Sequence, residues 1–305
     1  MAVEHTVAHA SLSLKKALTQ VSGEIDRRFD RLLVVPDDPR ADLFKAMRHA
    51  AIGGGKRLRP LLVLATAGIF GVDRECAARA ALALECIHVY SLIHDDLPAM
   101  DDDDVRRGKP TTHKAFGEAT AILAGDSLHA LAFEILADPT THPDPFVRAE
   151  LSLELARAAG PGGMAGGQMM DLEAEKASFD LNTVTRLQAM KTGALIACAV
   201  EFGMILGHVQ PEGRTSLRGY ARDIGLAFQI ADDILDETGD EATVGKRVRK
   251  DGEQGKETFL SLLGLDRARG QARMLVDQAV DHLRGYGGEA DLLRDIARFI
   301  LERDR

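Results

Sequence analysis

Six carboxylates crowd into ten positions, Asp95, Asp96 and Asp101 to Asp104, with Arg106 and Arg107 close behind. Like charges gathered this closely repel one another. Bound divalent cations offset that repulsion, so a cation site is a physical reason to concentrate them. A solvated acidic loop is the competing explanation for an isolated run. A second group far downstream, Asp232-Asp233-Ile234-Leu235-Asp236, argues against it. On a helix Asp232 and Asp236 share a face, and their neighbours Phe228, Ile230, Ile234 and Leu235 are apolar. Carboxylates in such company are costly unless a metal or a lysine meets them. Oxygen-only ligation favours a hard cation, and magnesium takes one or two carboxylates together with phosphate oxygens. Two clusters on separate helices can therefore hold several magnesium ions around one diphosphate, an arrangement suited to departure of a phosphate leaving group.

The helix before the first cluster must position it. Asp95 and Asp102 would align on an ideal helix and Asp101 would not, but Pro98 lies between them and must kink or end the helix. That break lets Asp101 swing back toward Asp95. His88 is seven residues before Asp95, on the same helical face and about 10 Å away. Upstream, Gly53-Gly54-Gly55-Lys56-Arg57-Leu58-Arg59-Pro60 sets flexible backbone before three cations. The glycines allow backbone N–H groups to approach an anion, and Lys56 and Arg59 can converge. The GxxxxGK[ST] phosphate loop is missing. Lys191-Thr192-Gly193 interrupts an otherwise apolar helix, where a lysine needs a partner or an anion. Gln168 and Asp171 lie three apart beside Gly166 and Gly167. Lys246 and Lys256 fall in the polar stretch after the second acidic cluster.

Around these residues the chain reads as helices. Helical spacing covers residues 11–33, 42–52, 61–70, 73–91, 119–136, 146–159, 164–176, 181–206, 215–238, 265–284 and 290–302, with Asp73 a plausible N-cap and Gly or Pro at most breaks. No sustained apolar–polar alternation and no hairpin dipeptide is present. The expectation is one all-α domain spanning 1–305. Hydrophobic residues make up 45% and aromatics 5%, with no Trp, so the core is built from Ala, Leu, Ile, Val and Met. A net charge of −9 argues against a nucleic-acid partner. Cys76, Cys86 and Cys198, without CxxC spacing, read as reduced cytoplasmic thiols. No signal peptide is evident. The longest mostly apolar run, 61–72, is too short to span a bilayer, so no stable membrane insertion is expected.

Taken together, Gly54 to Pro60, Asp95-Asp96-Leu97-Pro98-Ala99-Met100-Asp101, Lys191-Thr192 and Phe228-Gln229 before Asp232-Asp233-Ile234-Leu235-Asp236 resemble the trans-prenyltransferases of the polyprenyl (isoprenoid) diphosphate synthase family. The resemblance runs from about Phe44 to Leu265, with the motifs in the family's order. It implies an all-α, homodimeric enzyme whose helices surround a deep apolar cavity. Isopentenyl diphosphate would be condensed with an allylic diphosphate. Asp95, Asp101 and Asp232 would ligate magnesium (Mg2+, three ions with the allylic diphosphate bound, Mn2+ able to substitute), with Asp96 and Asp236 supporting. Arg106, Lys191 and Lys246 would grip the allylic diphosphate. Gly55, Lys56, Arg59, His88 and Arg107 would hold isopentenyl diphosphate. Thr192, Gln168, Asp171 and Gln229 would line the reacting centre, and Lys256 would lie nearby.

The residues five and four before Asp95 are Tyr90 and Ser91. In the resembling enzymes a tyrosine there acts as a floor for the growing tail. This predicts the fifteen-carbon product, farnesyl diphosphate, with the twenty-carbon geranylgeranyl diphosphate as runner-up. Rival classes are a His-Asp metal phosphohydrolase using His49 and His94-Asp95, a terpene cyclase, and a silent partner subunit. The hydrolase leaves Asp232 to Asp236 and Lys191 without a role. A cyclase would lack the Gly54 to Pro60 segment. Intact carboxylates in both clusters speak against a silent subunit.

Overall fold

The computed structural model describes residues 12–174, 176–238 and 257–302. It is all-α apart from one minute hairpin. The helices in chain order are α1 (Leu12–Leu32), α2 (Ala41–Ala51), α3 (Leu58–Ile69), α4 (Arg74–Asp95), α5 (Thr112–Phe116), α6 (Glu118–Ala137), α7 (Pro145–Ala159), α8 (Met164–Ala174), α9 (Leu181–Gln188), α10 (Ala194–Leu206), α11 (Thr215–Thr238), α12 (Phe259–Leu263), α13 (Leu265–His282) and α14 (Asp291–Leu301). A π turn, Ala189–Gly193, joins α9 to α10.

Helix α4 carries the first acidic motif, and its sequence accounts for its bounds. The Asp73 carboxylate accepts the backbone N–H groups of Glu75 and Cys76 at 2.9 and 3.2 Å, satisfying donors a helix start leaves open. Ala77, Ala78, Ala80, Ala81 and Ala83 are all buried, so α3, α6 and α10 approach this helix closely. Helix α10 is apolar apart from Glu201, which is paired with Arg214 and Arg218 at 2.7 Å, and Leu195, Ile196 and Cys198 to Leu206 are all buried. A helix of that character belongs inside a bundle. A buried ion cluster fastens the start of α3 to α4. The Arg57 guanidinium bonds Glu85 at 2.6 Å and Asp26 at 2.7 Å.

Two expectations are corrected. The segment after the first acidic cluster does form a hairpin, β1 (Val105–Arg106) against β2 (Lys109–Pro110), antiparallel, with Arg106 opposite Lys109. Arg107 and Gly108 both take positive φ, 54° and 73°, the backbone of a type I′ turn. An arginine in that first position gives no warning in the sequence. Second, α4, α6 and the 181–206 segment are long and apolar enough to cross a membrane by length and composition alone. In the fold they pack against neighbouring helices, and each is longer than the apolar stretch 61–72. Cys76, Cys86 and Cys198 are unpaired, in line with reduced thiols.

Candidate diphosphate and metal site

Helix α4 stops at Asp95, three residues before Pro98, and the chain then doubles back. The Leu97 N–H donates to His94 O at 3.1 Å, and the Met100 and Asp102 N–H groups donate to Leu97 O at 2.9 and 3.2 Å. Within this knot the Asp101 N–H donates to the Asp95 carbonyl at 2.8 Å. Asp101 therefore returns to Asp95, as the proline allows. The Asp95 carboxyl is pushed up to about 7, first by burial and then by the negative charges of Asp101 and Asp96, while Lys191 and Arg106 oppose the rise. Burial, by stripping water from this carboxylate, makes it reluctant to ionise.

Asp96 is buried and is already paired. Arg106 donates to its Oδ1 from Nε at 2.7 Å and from Nη2 at 2.6 Å. Burial pushes the Asp96 carboxyl up, and Arg106 pulls it back. The hairpin thus delivers Arg106 onto the first motif. On α11, Asp232 and Asp236 are half-buried one turn apart. Asp233 faces elsewhere, its Oδ2 accepting the Phe259 N–H at 2.8 Å.

The π turn brings in the next cation. Lys191 Nζ bonds the Asp171 carboxylate of α8 at 2.8 Å. Helix α8 comes this near because Gly167 has no side chain, since a Cβ there would lie 2.2 Å from Lys191 N. One turn from that contact, Gln168 is buried with neither amide atom hydrogen-bonded, and Gln229 Oε1 on α11 is likewise buried without a partner. Orphaned polar atoms of this kind call for a ligand. Thr192 is half-buried in the same turn.

At the other end, Arg59 Nη1 stands 3.4 Å from His88 Nε2. Burial and the guanidinium groups of Arg59, Arg107, Arg57 and Arg106 hold His88 well below its usual range, so the imidazole is neutral among four cations. The glycine run has a role that the sequence did not announce. The Arg107 side chain lies against it, and a Cβ on Gly54 or Gly55 would fall 2.9 or 2.6 Å from the guanidinium arm. A cleft between α2, α4 and the hairpin is lined by Gly53, Gly54, Asp96, Arg106, Arg107 and Lys109. Lys109 was not singled out from the sequence, although it completes the run Arg106-Arg107-Gly108-Lys109. Lys56 Nζ sits 5.5 Å from the Phe299 ring centroid, so α14 reaches the basic segment.

Tyr90 is half-buried between two imidazoles, and the Ser91 hydroxyl donates to His88 O at 2.9 Å. Among the described residues, the compact set of potential metal-ligating atoms, within 4.8 Å of one another, is Asp102, Asp104 and His113. Its Asp104 is held by Lys114 at 2.7 Å. Lys246 and Lys256 lie outside the described residues. The histidines of the hydrolase alternative turn their Nε2 atoms to backbone carbonyls. His94 Nε2 contacts Ile122 O at 3.1 Å and His49 Nε2 contacts Pro110 O at 2.7 Å.

Residues 40–289 match the family model of the polyprenyl synthetases. The chain belongs to the polyprenyl synthetase family. It is 49% identical to the farnesyl diphosphate synthase of Escherichia coli K12 over 86% of this chain and 89% of that protein. It is 42% identical to the Haemophilus influenzae farnesyl diphosphate synthase over 97% and 99%. Among solved structures, the FPP/GFPP synthase of Zymomonas mobilis superposes with a TM-score of 0.88 at 57% identity, covering 95% of this chain and 99% of that one.

Proposed function

We propose that this polyprenyl synthetase condenses isopentenyl diphosphate with dimethylallyl and geranyl diphosphates, head to tail, to give farnesyl diphosphate and free diphosphate. The observation that carries this reading is Asp101 folded back onto Asp95, facing Lys191, with the Asp95 carboxyl pushed up to about 7 by burial and, secondarily, by the neighbouring Asp101 and Asp96. An all-oxygen donor set in that electrostatic state fits a hard divalent cation, with Asp95, Asp101 and Asp232 as ligands and Asp96 and Asp236 in support. Magnesium, when bound, would neutralise the charge that develops on the departing diphosphate.

The chain's own groups do the rest. Lys191 and Arg106, with Lys246, grip the allylic diphosphate and steady the negative charge as the allylic C–O bond breaks. Lys56, Arg59, His88 and Arg107 hold the second diphosphate, with neutral His88 contributing a donor and no net charge. The alkene of isopentenyl diphosphate attacks the allylic cation, and the proton lost next is taken by the released diphosphate. Gln168, Gln229 and Thr192 direct dipoles at the reacting centre. Apolar walls exclude water, which would quench the cation. Tyr90 forms the floor that stops growth at fifteen carbons.

The enzyme works in the cytoplasm as a homodimer. Exposed Ile122 and Leu123 on α6, with Phe146 and Leu153 on α7, supply apolar surface for a second copy. The test is incubation with magnesium, isopentenyl diphosphate and each allylic diphosphate, followed by measurement of product length. Farnesyl diphosphate is the expected product, and no condensation with any of them would sink the reading. Asp95→Ala and Asp232→Ala should each lower turnover by about three orders of magnitude with the fold intact.

A further inference from the structure

Helix α6 places Gly125, His129 and Phe133 four residues apart, which puts them on one face. Opposite them on α4 are Tyr90 and His94, also four apart. The side chains interlock as a ladder. The His94 imidazole fills the notch left by Gly125, where a Cβ would lie 2.1 Å from Nε2, and its Nε2 contacts Ile122 O. The Tyr90 ring stands edge-on to His94, with centroids 5.7 Å apart and planes at 75°. On its other side it stands edge-on to His129 at 5.0 Å and 88°. His129 in turn rests against Phe133 at 5.4 Å. Phe133 is packed against the core.

Tyr90 is thus wedged between two rings that have supports of their own. His94 is locked by its helix partner. His129 is the outer member, exposed at the surface of one chain. We propose that His129 is a positioning residue for product length: its ring, braced on Phe133, holds Tyr90 in the one orientation that closes the tail cavity. This deepens, and rests on, the reading of Tyr90 as the floor. The specificity belongs to a clamp on two helices rather than to one tyrosine. Edge-to-face packing of Tyr90 with His94 and His129 supplies the restoring force, because a ring edge is attracted to its neighbour's electron-rich face.

The experiment compares product lengths for the wild type and for His129→Ala, His129→Gln, His129→Phe, Tyr90→Ala and the double variant Tyr90→Ala/His129→Ala. All are assayed with isopentenyl and geranyl diphosphates at matched turnover. His129→Ala and His129→Gln should raise the ratio of longer products to the fifteen-carbon product about two- to tenfold, the bias one edge-to-face ring pair imposes on a two-position equilibrium. His129→Phe should keep the wild-type ratio. The double variant should match Tyr90→Ala alone, because His129 acts only through Tyr90. Lengthening by Tyr90→Ala with no change in His129→Ala overturns the clamp and leaves the floor standing. Further lengthening in the double variant over Tyr90→Ala also overturns it, since His129 would then touch the tail directly. An unchanged product from Tyr90→Ala removes the floor itself, and the clamp with it.

Discussion

Replacing Asp95 with asparagine should make the metal-free protein more stable while leaving it inert. The Asp95 carboxyl sits at about 7 against an ordinary 3.8, a displacement corresponding to about 4 kcal/mol. The site is partly open, and solvent screening makes that figure an upper bound. The sign follows from proton counting. Between about pH 4 and pH 7 the folded chain holds a proton on Asp95 that the unfolded chain has released. Stability must therefore fall as pH rises through that window and level off above it. Asparagine has the shape of the protonated acid and carries no charge at any pH. The stability difference between Asp95→Asn and the wild type should accordingly be near zero at pH 4 and grow to about 2–4 kcal/mol at pH 8. Urea unfolding at fixed protein concentration, with chelator present, measures it. Comparing the two proteins at each pH cancels the titration of groups that do not interact with Asp95. A variant no more stable than the wild type at pH 8, or a difference that does not widen with pH, refutes the argument that burial makes ionised Asp95 costly to the fold.

Two further outcomes follow from the packing. Arg57→Ala leaves Glu85 buried without its partner and should lower stability by about 3–5 kcal/mol in urea titrations, independently of substrate. Gly167→Ala drives a Cβ to 2.2 Å from Lys191 N, and should cost about 1–3 kcal/mol of stability and depress kcat by displacing Lys191. A wild-type kcat in that variant would show that the α8 approach does not set the lysine.

Much of the site was legible because its determinants are local. Asp73 caps α4, Pro98 ends it, and the spacing from Asp95 to Asp101 then suffices to foresee the return of the chain. Asp232 and Asp236 needed only the helical repeat. What stayed hidden depends on partners distant in sequence. Arg57 looked like a third member of a basic binding segment, yet Glu85 and Asp26 take it into the core, and no local pattern tells a buried guanidinium from an exposed one. The glycines at 54 and 55 read as an anion cradle, whereas their immediate task is to make room for Arg107. That requires knowing that a hairpin at 105–110 folds over them, and its Arg-Gly turn lacks the usual Asn-Gly signature. The ring ladder on α6 was invisible for the same reason. His129 has no partner within its own helix apart from Phe133, and its meaning appears only when α4 is laid beside it.

The π turn at 189–193 has a consequence beyond the placement of Lys191. One surplus residue within a helix advances its phase by about 100°. Helices α9 and α10 are therefore out of step, and each presents to its neighbours a face that a continuous helix could not. Deleting a single residue from Ala189-Met190-Lys191-Thr192-Gly193 would heal the backbone ladder into regular α-helix and strengthen it locally. It would also rotate one half of the helix against the other, parting Lys191 from Asp171 or α10 from its burial in the core. A shorter chain with better hydrogen bonds would be the poorer enzyme. The site is in this sense written as a phase error, kept because two packing surfaces, each correct alone, agree only when one residue too many stands between them.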